Sequence, residues 1–235
     1  MTLQPSTRVW RYMSFAKFVW MLQKKQLWLS NAEYLGDKWE AMPNSQQLNT
    51  IANKQSLSSS FEAALDETAK KIKTLREQTF INCWTASMDE SYALWHLFCP
   101  SSEGVAIQTT LERLVNSVSL PVLEVTYSPK IDINTIPDLY KLVTQKRSIF
   151  EYEHEVRIVL VHDFSNLDPR NPGKWLGTGI GWDPDQHLEN IWVHPDATFW
   201  FMETVIETVR SLAPKLYNNG SPRVPYSNIN TLPPI

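Results

Sequence analysis

The chain has 235 residues, 43% hydrophobic and 20% charged, enough to bury one large core or two small ones. A formal net charge of -3 excludes a protein that coats nucleic acid by bulk charge, although a local basic cleft survives that average. Two cysteines, Cys83 and Cys99, are too few for a disulfide framework, and no apolar run approaches the roughly 20 residues that span a bilayer. With no basic-then-apolar leader before Arg8, the expectation is a cytoplasmic protein with free thiols and no membrane partner.

In chain order, "RVWRYM" alternates as a short strand and leads into "SFAKFVWMLQKK", whose Phe15, Phe18, Val19 and Leu22 recur at helical spacing behind a capping Ser14. "QLWLSN" reads as a second strand. The polar residues 40–58 have little periodicity and read as a flexible loop or lid. The capping-box pattern Ser59-x-x-Glu62 then opens a long helix through about Gln78, with its lysines on a solvated face.

Strand and helix go on alternating. "FINCWTAS" is a strand, "DESYALWHLF" a helix capped by Asp89, "GVAIQT" a strand, "TLERLVNSV" a short helix and "VLEVTYS" a strand. "IPDLYKLVTQKRSIF" reads as one helix that runs into the next strand. "NLDPRNPGKW" is turn chemistry, "NIWVHPD" a last central strand, and a C-terminal helix follows, capped by Asp196. With no internal repeat and no rich linker, the expected fold is a single α+β domain over residues 1–235, its mixed or antiparallel sheets flanked by helices.

The stretch "FEYEHEVRIVLVH" places charge at the head of a buried strand. Strand alternation would put Glu153, Glu155 and Arg157 on one face, where Arg157 either pairs with the glutamates at a sheet edge or joins them in a reaction centre. Other signals are weaker. "GTGIG" is not followed by a helix that would support a phosphate loop, and His96-x-x-Cys99 has no second closely spaced pair of ligands, so no metal is expected.

The order "WRYMSF", "QLWLSNAEYLGDKWE", "NCWTASMDESYALWHLFCPSSEGVAI", "VTYS", "QKRSIFEYEHEVRIV", "WVHPDA" and "PYSNI" resembles the bacterial family called domain of unknown function 2971 across nearly the whole chain. In that family a Lys leads into Glu-x-Glu-x-Arg. The usual Asn-Asp-Pro-x-Glu turn is here Gly36-Asp37-Lys38-Trp39-Glu40, and Cys-Phe-Ser is here Cys83-Trp84-Thr85. The layout also looks like that of ADP-ribosyltransferase-type domains, which split NAD in a cleft between two small sheets.

That resemblance implies Glu155, with Glu153, as the catalytic carboxylates. It implies Arg11, Tyr12, Ser30, Ser87 and Arg157 as the residues that bind NAD, with Trp84 as an alternative to Tyr12 for stacking on nicotinamide. The implied activity is that of an ADP-ribosyltransferase or NAD glycohydrolase, serving as a toxin or phage-defence effector. Its partners would be NAD or a related nucleotide and a protein or nucleic-acid acceptor. Two other readings stay open: a non-catalytic module that binds a nucleotide or a protein, and a nuclease holding Mg²⁺ with Asp37, Glu40, Glu153 and Glu155.

Overall fold

The computed structural model describes residues 3–35, 61–128, 139–162, 176–218, 221–222, 224–225, 227 and 229–230. The expected loop over 40–58, the Gly36 to Glu40 turn, Ser59 and the turn-rich 166–175 segment lie outside the described residues. The fold is α+β. The chain groups into two compact units, Met1–Leu27 with Cys83–Ser119 and Gly179–Ile235, and Trp28–Asn82 with Leu120–Thr178.

In the first unit β1 (Arg8–Ser14) pairs antiparallel with β4 (Gly104–Thr110) along its whole length, and with the second half of β3 (Thr79–Ala86) through Val9↔Ala86 and Trp10↔Thr85. β10 (Asn190–Val193) pairs antiparallel with β4. It therefore ends the strand order instead of standing in its centre, and its Asn190 and Trp192 side chains both donate to Gln108 Oε1 of β4, at 2.6 and 3.3 Å.

Val9, Trp10, Tyr12 and Met13 of β1 are all buried, so its burial does not alternate, as in a strand covered on both faces. Trp10, Tyr12, Leu94, Trp95, Cys99 and Ala106 form one cluster, with Trp192 and Ile229 packed against it. The Tyr12 and Trp95 rings meet edge to face at 5.0 Å. Truncating a buried ring such as Trp95 to Ala removes about 3–5 kcal/mol, so this cluster is a main anchor of the unit.

The first unit's helices are α1 (Phe15–Lys24), α3 (Tyr92–Phe98), α4 (Leu111–Ser117), α6 (Pro184–His187) and α7 (Phe199–Leu212) among the described residues, α2 being Phe61–Glu77 in the second unit. Two expected caps are displaced. Ser91, not Asp89, accepts from the Leu94 N–H of α3, because the helix starts two residues later than its charge pattern implies. Thr198, not Asp196, stands before α7, since Asp196 closes a turn in which its own N–H donates to His194 Nδ1 at 3.1 Å. Ser14 precedes α1 without a side-chain cap hydrogen bond. Cys99 is buried at the end of α3, while Cys83 is only half-buried; neither is part of a disulfide.

The second unit holds most of β2 (Gln26–Asn31), which pairs antiparallel with the first half of β3 through Ser30↔Ile81 and Asn31↔Phe80. Its helix α2 is tied back by Asn31 Nδ2, which donates to Glu77 O at 2.7 Å. β5 (Val122–Glu124) pairs antiparallel with β8 (Glu155–Val161), and β6 (Thr126–Ser128) pairs parallel with β7 (Gln145–Arg147).

"VLEVTYS" is thus two strands divided at Val125, because each half finds a different partner. The helix expected to run through residue 150 ends far earlier. It is α5 (Leu139–Val143), and Gln145–Arg147 leaves it to pair with β6, a long-range contact that overrides helical spacing. "GTGIG" forms β9 (Gly177–Gly181); Gly177 is required there, since a Cβ would lie 2.4 Å from Leu29 O and 2.5 Å from the Trp28 ring. Among the described residues no helix is long and apolar enough to cross a membrane.

Candidate functional site

The charged head of β8 lies within the second unit and is built by three short elements. The parallel register sets Tyr127 of β6 beside Lys146 of β7, so both side chains leave the same face of that pair. A 3-10 turn over Ser148–Glu153 follows, and His154 at its end takes a left-handed conformation with φ 40. Such a residue without glycine's freedom costs about 1–2 kcal/mol.

This corrects the sequence expectation for one residue. Glu153 is not a strand position two places before Glu155; it ends the turn, and the His154 reversal folds it back against the strand. The convergence of Glu153, Glu155 and Arg157 survives by a different route.

The side chains form one continuous network. Lys146 Nζ donates to Glu153 Oε2 at 2.6 Å and to Glu155 Oε1 at 3.0 Å. Arg157 Nε donates to the other Glu155 oxygen, Oε2, at 2.6 Å, and its Nη1 to the Val143 carbonyl at 2.6 Å. The Glu155 backbone N–H donates to the Tyr127 hydroxyl at 2.8 Å. Phe150 lies under the Lys146 ammonium, 4.8 Å from nitrogen to ring centre. The four charged residues are 6% (Lys146), 5% (Glu153), 6% (Glu155) and 1% (Arg157) exposed, so water screens their interactions little.

In that setting the two carboxyls separate. Burial alone would raise Glu155, but the Arg157 charge, the hydrogen bond with Glu153 and the Lys146 charge outweigh it and hold Glu155 well below the ordinary carboxylate range. Glu153 moves the other way: burial and its hydrogen bond with Glu155 push it up to about 7 against the pull of Lys146. One carboxyl stays ionised while its neighbour exchanges a proton near neutrality. Burial raises the Tyr127 and Tyr152 hydroxyls, and half-exposed Tyr152 hydrogen-bonds Glu153 at the rim.

A pH dependence of stability follows from these shifts. Glu155, depressed when folded, contributes stability above its unfolded pKa near 4.5 and loses it as pH falls through the folded value. Glu153, raised when folded, keeps a proton that the unfolded chain has released, so its contribution declines as pH rises from about 4.5 to about 7. Thermal unfolding should therefore peak near pH 5 and drop by at least about 2–4 °C by pH 8, the equivalent of 1 kcal/mol at this size. A melting temperature that rises steadily across that window would contradict the assignment.

Comparison with known proteins adds little. No protein-family model matches the chain, and no curated protein is similar to it, so the resemblance to domain of unknown function 2971 rests on motif order. Among solved structures the chain is similar to Thermus sp. 2.9 DarT in complex with ADP-ribosylated ssDNA, at 11% identity over 95% of each chain and a TM-score of 0.42.

The other candidate residues are placed as follows. Arg11, Tyr12, Trp84 and Ser87 belong to the first unit. Arg11 is half-buried, and its Nη1 donates to the Cys83 carbonyl. Tyr12 is buried edge-on to Trp95, with its hydroxyl accepting from the Ser91 N–H at 2.7 Å and pushed up by burial. Trp84 is buried beside Trp182, with 6.1 Å between ring centres. Ser87 Oγ accepts from Asp89 N–H, and its carbonyl accepts from Trp10 Nε1 at 2.9 Å. Ser30, in the second unit, sits half-buried in the ladder opposite Ile81.

Lys146 and Tyr127 belong to the network although sequence reasoning did not propose them as site residues. The signal for Lys146 was the lysine that leads into the Glu-x-Glu-x-Arg pattern. Tyr127 gave none, because its role depends on a parallel pairing between strands 19 residues apart in register.

Proposed function

We propose that this chain acts on the N-glycosidic bond of NAD, as an ADP-ribosyltransferase or NAD glycohydrolase. The observation that supports the reading is the buried pair of carboxyls joined through Lys146, which their surroundings shift in opposite directions, Glu155 down and Glu153 up to about 7. Cleavage of the N-glycosidic bond of NAD releases nicotinamide as a neutral base that needs no proton, so one ionised carboxylate serves to stabilise positive charge on the sugar and a second carboxyl, in its ionised form, to take the proton that the incoming water or acceptor gives up. Glu155 suits the first role and Glu153 the second, while Lys146 and Arg157 hold Glu155 charged inside the protein. Arg11, Tyr12, Ser30 and Ser87 stay in the proposal as NAD-binding residues. So does a protein or nucleic-acid acceptor, and with it a toxin or phage-defence role.

A second reading has its own observation. All four charged side chains are nearly closed to solvent, as in an ionic staple that fixes the geometry of a nucleotide- or protein-binding module. A Mg²⁺ nuclease is opposed by the two cations already seated on the Glu153 and Glu155 oxygens.

The experiment incubates the protein with labelled NAD alone, with cell lysate and with single-stranded DNA. Free nicotinamide is followed by chromatography and label on the acceptor by gel. Nicotinamide release, with or without label transfer, supports the enzyme. Saturable NAD binding without consumption selects the module, and neither binding nor consumption removes NAD from the account.

A further inference from the structure

Ser227, Ile229 and Asn230 of the first unit are seated at two polar anchors with an apolar side chain between them. Ser227 Oγ donates to Glu90 Oε2 at 2.7 Å, an oxygen that also accepts from Trp95 Nε1 at 2.9 Å. Ile229 packs against the cluster that holds Trp10, Tyr12 and Trp95. Asn230 Nδ2 donates to the Pro195 carbonyl at 3.2 Å and to Asp196 Oδ1 at 2.9 Å, so the second anchor is the turn that follows β10.

That turn is held by a histidine acting as an acceptor. His194 is 4% exposed, and its ring meets Trp95 edge to face at 5.2 Å. Its Nδ1 accepts from the Asp196 N–H at 3.1 Å, and its carbonyl accepts from the Ala197 N–H at 3.0 Å. A ring nitrogen accepts only without a proton of its own, so the neutral ring carries its hydrogen on Nε2, which is buried and has no acceptor among the described residues. The titratable groups that face the ring are Asp196, whose Oδ2 lies 4.0 Å from Nδ1, and His96 of α3, with 6.1 Å between ring centres. From β4 comes only the uncharged Gly104 carbonyl, which accepts from the His194 backbone N–H. Burial, helped by His96, outweighs the Asp196 charge and holds His194 below the ordinary histidine range.

We propose that His194 is a pH-sensitive latch that releases the segment around Ile229 on acidification. A proton arriving at Nδ1 turns the acceptor into a donor and sets it against the Asp196 N–H. The Asp196 carboxylate answers the new charge, and closing the 4.0 Å gap draws it off Asn230. One of the two anchors is then lost. The seated state holds His194 depressed, so seating is complete above the ordinary value of 6.5 and is lost as pH falls below it. This assignment does not depend on the NAD reading, and its readout is a side chain of the first unit.

Methyl NMR of the full chain tests it. The Ile229 signals should be shifted by the tryptophan ring currents at about pH 7.5. They should move toward the positions of an unstructured isoleucine as the pH falls to about 5, with the released fraction rising at least about tenfold, the effect of one pKa unit. His194→Gln offers an amide oxygen to the Asp196 N–H and does not titrate, so its Ile229 signals should hold their positions throughout. Asp196→Asn keeps an oxygen for Asn230 without the charge that draws it away, and should carry release to lower pH. Asn230→Ala should show released positions already at about pH 7.5. Wild-type signals that do not move between these pH values overturn the proposal. So does a His194→Gln variant that releases like wild type, which would pass the transition to the Glu90 anchor. If His194→Gln does not fold, an Asn230→Ala variant that stays seated, or an Asp196→Asn variant that releases at the wild-type pH, overturns it equally.

Discussion

Replacing Arg157 by Met should cost about 3–5 kcal/mol, lowering the melting temperature of a chain this size by roughly 6–20 °C. The side chain is fully enclosed, and three of its donor groups have assigned acceptors: Nε and Nη2 on Glu155 Oε2, and Nη1 on the Val143 carbonyl. Methionine fills much of the volume but, among the described residues, leaves Glu155 with Lys146 as its cation and takes the Arg157 donor away from the Val143 carbonyl. The residue also joins β8 to the end of α5, so its loss loosens the turn that sets Glu153. Arg157→Lys should recover part of the loss, since it restores charge without the planar fork. A Met variant within about 1 kcal/mol of wild type would mean that the network does not anchor β8.

Glu153→Gln should have the opposite character: retained or increased stability at pH 8, with turnover of NAD reduced about 10²–10⁴-fold if Glu153 is the proton-exchanging group. The amide copies the shape of the protonated carboxyl and can still donate to Glu155, so it removes the cost of a second buried anion. The decline in melting temperature between pH 5 and pH 8 should flatten in the same variant. An active wild type with an equally active Gln variant would take Glu153 out of the chemistry and leave Glu155 in it. Glu155→Gln is the less informative exchange. Its shape is conserved, yet it strands Lys146 and Arg157 opposite a neutral group, so loss of turnover there would be mixed with loss of fold.

Local pattern was enough to locate α1, β1, β2, β3 and β4, because Phe18 and Leu22 recur at helical spacing and strands such as "QLWLSN" pair apolar content with sharp polar ends. It was enough to single out Glu155 and Arg157 as well, since residues two apart in a strand share a face whatever lies around them. Charge alone misplaced the starts of α3 and α7, because a cap is decided by which backbone N–H is left over, and that depends on where the chain enters the helix.

The rest of the site needed the tertiary structure. Gln145–Arg147 reads as the tail of a helix until β6 is available to pair with it, and only that pairing turns Lys146 and Tyr127 toward Glu155. The left-handed His154 is equally silent in the sequence, because nothing in a histidine announces a positive φ. The sequence by itself determined which charges stand at the head of β8. The tertiary structure decided their protonation, because burial and the distance to a cation, neither of them a property of local spacing, separate Glu153 from Glu155.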